Sequence, residues 1–154
     1  MRRLAALAAL ALASSACAGD ARPSRAEYVE KADATCRKYE QKLEPLGREL
    51  ATAKGAGDVA GTIDRALPVV REGVAELREL EPPAGLEREA NRWLRSNDRS
   101  VEKLEELREA AKENDLREFR RLAQAAKANE ERAADRARAL GLRDCAQDEA
   151  VSGL

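Results

Sequence analysis

The chain has 154 residues, room for one domain of ordinary size, with 37% charged residues, a formal net charge of −1 and 3% aromatics. It contains no histidine, which excludes His-ligated haem, His-containing zinc sites, Glu-x-x-His di-iron bundles and any His-based triad. Alanine supplies 32 residues and Val plus Ile only 8, too few β-branched side chains for a sheet protein and the composition of long helices.

Residues 1–18 read as an export signal. Met1, Arg2 and Arg3 give a basic start, Leu4 to Ala13 is a run of Leu and Ala, and small residues follow. The run is too short to span a bilayer, which needs about 20 residues. Cys17, preceded by Ser15 and Ala16, resembles the lipobox of bacterial lipoproteins, whose cysteine is acylated and becomes the new N-terminus; Ser14 stands where that motif usually has a large aliphatic residue. The other reading is ordinary cleavage after Ala18, at a small-x-small site. The expected location is extracytoplasmic, lipid-anchored to the outer face of the cell membrane through Cys17 or secreted. Loss of Arg2 and Arg3 leaves the mature chain slightly more acidic, with no nucleic-acid footprint.

After a short linker, 19–23, one helical domain is expected over 24–145. Ser24 and Glu27 have capping-box spacing, and Val29, Ala32, Cys36, Tyr39, Leu43, Leu46 and Leu50 then recur at steps of 3 and 4. Pro45 should kink or break this helix. Asp58 is the expected cap of the second helix, striped by Val59, Ile63, Leu67, Val70, Val74, Leu77 and Leu80, with Pro68 inside and Pro82-Pro83 as the stop. The third runs from about Leu86 to Glu113 on Leu86, Ala90, Leu94, Asn97, Val101 and Leu104, with Trp93 and Leu107 beside them. Asp115 and Glu118 form a second capping box, opening a helix striped by Phe119, Leu122, Ala126, Asn129, Ala133, Ala137 and Leu140. Gly141 sits where a left-handed C-terminal residue belongs, and Leu142 should fold back on the last turn. Residues 146–154 are expected to be a disordered tail.

Narrow stripes and short connections predict an all-α fold, an antiparallel up-down-up-down four-helix bundle. The runner-up is a pair of long hairpins that complete a bundle only as a dimer. Export puts Cys36 and Cys145 in an oxidising setting, and with Cys17 lipidated or removed only one pairing remains. That pairing suits the monomeric bundle, in which the end of the fourth helix lies beside the start of the first.

The segments from Tyr28 to Cys36 and from Leu140 to Cys145 resemble those of small exported or lipid-anchored helical proteins of high-GC Gram-positive (actinobacterial) bacteria. The resemblance covers about residues 24–145 and implies compartment and fold; it carries no established activity.

Sequence signals for chemistry are few. The carboxylate pairs lie at solvent-facing helix positions, where Glu27–Lys31 and Glu44–Arg48 have i,i+4 spacing. There is no Gly-rich phosphate loop and no calcium loop. Helix 4 carries an excess of cations, among them Arg117, Arg120, Arg132 and Arg136, which reads as a solvated face or as a dock for anionic headgroups or wall polymer. Asn97 and Asn129 both occupy stripe positions, and counting from the helix ends puts them at one height, near Pro45 and Pro68. With Tyr39 they make a candidate polar layer or pocket: either a register device or the wall of a ligand site. In that layer the two amides should bond each other, a carbonyl freed by a proline, or water. The expected protein is therefore not an enzyme and takes no cofactor and no metal. It is an extracytoplasmic lipoprotein or secreted module that contacts an unknown envelope protein or polymer; the alternative is a small-molecule binding bundle using the central layer.

Overall fold

A computed structural model of the chain describes residues 22–147; Cys17 and the rest of 1–21, with 148–154, lie outside the described residues. Four helices follow one another: α1 (Arg25–Ala51), α2 (Ala56–Glu79), α3 (Glu87–Lys112) and α4 (Leu116–Leu140). They form an antiparallel four-helix bundle with no strands among the described residues, and a 3-10 turn, Asp144–Ala146, follows.

Local chemistry sets most helix ends. Ser24 Oγ accepts from Glu27 N while Glu27 Oε2 accepts from Ser24 N, so the capping box closes α1. Asp115 caps α4 by accepting from Arg117 N and Glu118 N, but Glu118 turns to Arg121 instead of completing a box. Gly141 adopts φ 90°, and Leu142 N donates to Ala137 O at 3.0 Å, which folds Leu142 back into the core.

Two expectations need correcting, at Asp58 and Ala146. α2 begins at Ala56, behind an N-cap at Gly55; Asp58 lies inside the first turn, where its carboxylate accepts from Lys54 N at 3.0 Å. Of the kink or break expected at Pro45, the break is excluded, because α1 runs through it; Pro68 lies inside α2 as expected. Both rings are exposed, so the missing N–H and the displaced carbonyl face water rather than the core. Ala146, expected in the tail, is buried in the core.

The interior divides into two clusters. One gathers Tyr28 and Ala32 from α1, Leu77 from α2, Ala90, Trp93 and Leu94 from α3, Ala137 and Leu140 from α4, and Leu142 and Ala146 beyond it. The other joins Ile63 and Leu67 from α2, Leu107 and Ala110 from α3, and Leu122 and Ala126 from α4. The seam of α3 is centred further round than the sequence stripe: Trp93 and Leu107 are 1% exposed, while Val101 and Leu104 are only half-buried. Many seam positions of α4 are alanine, which lets its backbone approach α3 closely.

Candidate functional site

Cys36 and Cys145 are bonded, with S–S 2.09 Å and Cα–Cα 5.2 Å. Asp33, one turn before Cys36, organises the segment that carries Cys145. Its buried carboxylate accepts from the backbone N–H groups of Arg143 (3.0 and 3.1 Å), Asp144 (3.0 Å) and Cys145 (3.3 Å). These are the open donors at the start of the 3-10 turn, and a carboxylate there meets both their hydrogen-bond need and their partial positive charge. Arg37 pairs with Asp144, and Arg25 donates to the carbonyls of Ala139 and Leu140 at 3.2 Å each. Asp33 carries no sequence motif. The available signal was a lone carboxylate on the helix face next to Cys36, spaced i to i+3.

A second polar cluster joins α1 to α2. Tyr39 is buried, and its hydroxyl donates to Glu76 Oε2 at 2.8 Å. Glu76 also accepts from Lys38 Nζ at 2.6 Å and Thr35 Oγ1 at 3.3 Å. The ammonium groups of Lys38 and Lys42 lie 4.9 and 4.4 Å from the centre of the Tyr39 ring. Gly73 makes room beneath the ring, since a Cβ there would stand 2.9 Å from Tyr39 Cγ. Burial, followed by hydrogen bonding to Glu76 and Glu72, pushes the phenol up to about 12. Hydrogen bonds from Lys38 and Tyr39 hold Glu76 below its ordinary value, and Lys42 does the same for Glu72. Tyr39 thus belongs to an α1–α2 cluster with these residues.

Asn129 is 2% exposed and faces α3. Its Nδ2 donates to Ser96 O at 3.0 Å and to Ser100 Oγ at 2.9 Å, and its Oδ1 accepts from Arg99 Nε at 3.4 Å. Ser96 is fully buried; its hydroxyl donates to Arg92 O at 3.1 Å and accepts from Arg99 Nη2 at 3.3 Å and from Arg136. A polar layer therefore exists, but serines on α3 build it, not the expected partner. Asn97 is one residue on from Ser96, about 100° round the helix, so it leaves the α4-facing strip. It is half-buried, and its Nδ2 is buried without a hydrogen-bond partner. Pro45 and Pro68 are exposed and contribute nothing to the layer. The small hydroxyls of Ser96 and Ser100 were missed because serine in a helix interior reads as neutral until its neighbour across the seam is known.

Three of the cavities on the described surface stand out. One, of about 460 Å³, lies between α1 and α2 and is lined by Glu49, Thr52, Thr62 and Arg65. A second, of about 250 Å³, lies at the tip formed by the α1–α2 and α3–α4 turns and is apolar, with Val59, Leu116 and Phe119 in its wall. The third, of about 220 Å³, lies at the opposite end against Tyr28. None of the three is lined by Tyr39, Asn97, Asn129 or either helix proline. Among the described residues no group of three His, Cys, Asp or Glu side chains could hold a metal ion, and no helix is long and apolar enough to cross a membrane. No protein-family model matches the chain, and no curated protein or solved structure matches it.

Proposed function

We propose that the chain is an exported, non-catalytic helical module, tethered through Cys17 or released, that contacts an envelope protein or polymer. The observation that carries this reading is the Cys36–Cys145 bridge, the kind of bond that persists in oxidising compartments. It supports the same compartment as the leader-like first eighteen residues and the resemblance to actinobacterial exported proteins. The polar groups inside the bundle support a structural role: Asp33 and Asn129 each spend their hydrogen-bonding capacity on neighbouring helices or the C-terminal turn.

The tether has a geometric consequence. Arg22 pairs with Glu81 and Glu87 at the α2–α3 connection, so a chain anchored five residues earlier holds the bundle by its disulfide-bonded end. The opposite tip, about 40 Å away along α1 at 1.5 Å per residue, carries Leu116, which is 58% exposed. In the tethered form this is the tip farther from the anchor.

The test is expression of the full chain in an actinobacterial host. Detergent-phase partitioning that is lost in Cys17→Ala, together with thiols that resist alkylation until reductant is added, is the expected result. An aqueous protein beginning at Gly19 would leave secretion and remove the anchor. A cytosolic protein with Cys36 and Cys145 both free would overturn the reading.

A further inference from the structure

The turn between α3 and α4 holds Leu116 out into solvent. Asn114 adopts φ 55°, and Asp115 caps α4 by accepting from Arg117 N and Glu118 N at 3.1 and 2.9 Å. Leu116 is thereby fixed as the first residue of α4. It is 58% exposed, the one large apolar side chain left so among the described residues. A leucine on a capped turn gains from being covered and loses little freedom when it is.

Beside Leu116 the α1–α2 turn leaves a hole. The cavity of about 250 Å³ at this tip has Val59, Ala110, Phe119 and Leu116 itself in its wall, with Lys54 as its one charged lining residue. It is smaller than the roughly 300–1,000 Å³ of sites for drug-sized molecules, and its apolar lining suits an apolar side chain. A knob and a hole thus stand next to each other on one surface. That is what a two-fold interface requires, because each copy inserts what the other receives. The charges agree with this arrangement. Glu113 and Asp115 precede Leu116 and Arg117 follows it, while Lys54 and Asp58 stand on the α1–α2 side, so both sides carry both signs. Lys54 and Glu113 are exposed, and neither side chain enters an ion pair among the described residues.

We propose that this tip is a self-association surface: in a two-fold pair, Leu116 of each copy fills the apolar cavity of the other, and Lys54 of each faces Glu113 of the other. The contact is small, so the pair is transient. It is separate from the Asn129 layer and does not depend on how the chain is exported.

The probe is the protein itself, in the form beginning at Gly19, which keeps every described residue. Sedimentation equilibrium up to about 1 mM, the weak end of measurable association, should show a reversible monomer–dimer equilibrium. Amide shifts that change on dilution should centre on residues 53–59 and 110–119. Leu116→Asp should weaken the pair at least about tenfold. Lys54→Glu and Glu113→Lys should each weaken it about fivefold, since every contact occurs twice in a two-fold pair. The double variant Lys54→Glu, Glu113→Lys should return to within about twofold of the wild type, a recovery that a folding defect could not produce. A wild type that stays monomeric at the highest concentration would overturn the proposal and leave the cavity to a different protein. Leu116→Asp pairing as well as the wild type, a double variant no tighter than the single ones, or dilution shifts centred elsewhere would each overturn it too.

Discussion

At the end of the bundle where α1 begins, ten buried residues from all four helices and the C-terminal turn form one cluster around Trp93. At the other end six buried residues form a second cluster, and none of them comes from α1. Past Tyr39 no residue of α1 is buried; Leu43, Leu46 and Leu50 are half-buried, and Pro45 and Gly47 are exposed. The first end also holds the disulfide, the Asp33 carboxylate and the Arg25 contacts to the last turn of α4. The far end has an apolar cavity and the exposed Leu116. A small alanine-rich core cannot be equally strong everywhere. Here the bridge and the buried Asp33 carboxylate lie at one end, and the other end keeps surface uncovered.

The largest expected effect comes from removing the bridge. The bonded cysteines are 109 residues apart, and a loop of that length restricts the unfolded chain by about 4–5 kcal/mol in the chain-entropy account. Replacing Cys36 and Cys145 by Ser should therefore lower the melting temperature by roughly 15 °C. A melting temperature unchanged by the double replacement would mean that the bridge constrains neither state and that the two ends are equally fastened.

Asp33→Ala comes next. It strips acceptors from three backbone N–H groups at a part-buried site and should cost about 2–3 kcal/mol in a denaturant titration. Asp33 and the bridge hold the same turn, so their losses should not add: in the Cys36→Ser, Cys145→Ser background the Asp33→Ala cost should fall clearly below its value in the wild type. Strict additivity would show that the carboxylate and the bridge act on separate parts of the fold.

This fastened end was also the more legible one. Ser24, Gly141 and Leu142 act through local backbone rules, which need no knowledge of the partner helix, and the pairing of Cys36 with Cys145 follows from the count of cysteines once Cys17 is lipidated or removed. The features that escaped notice depend on what lies across a seam. Ser96 and Ser100 acquire meaning only when Asn129 faces them, Gly73 only when Tyr39 covers it, and Asp33 only when residues 143–145 return to it. The Asn97–Asn129 expectation failed for a related reason: counting from helix ends fixes height along the axis but not rotation about it, and one residue of rotation takes Asn97 off the strip that faces α4. The prolines were drawn into the layer by height alone, whereas both face water.

The smallest effect is expected at Gly47, and it bears most directly on whether the two ends unfold as one. Gly47 lies inside α1 with open space where a Cβ would stand. Alanine there lowers the entropy lost on forming the helix by about 0.5–1 kcal/mol, with no contact to disturb. In a fully cooperative bundle that gain protects every slowly exchanging amide alike. If the half of α1 beyond Tyr39 opens locally, as its lack of buried residues implies, the gain stays where it is made. Amide hydrogen exchange should then slow by roughly two- to fivefold over residues 43–51 in Gly47→Ala, while amides around Trp93 and Leu140 keep their wild-type rates. Equal slowing at Leu140 would join the two ends into a single unfolding unit and remove the distinction between them.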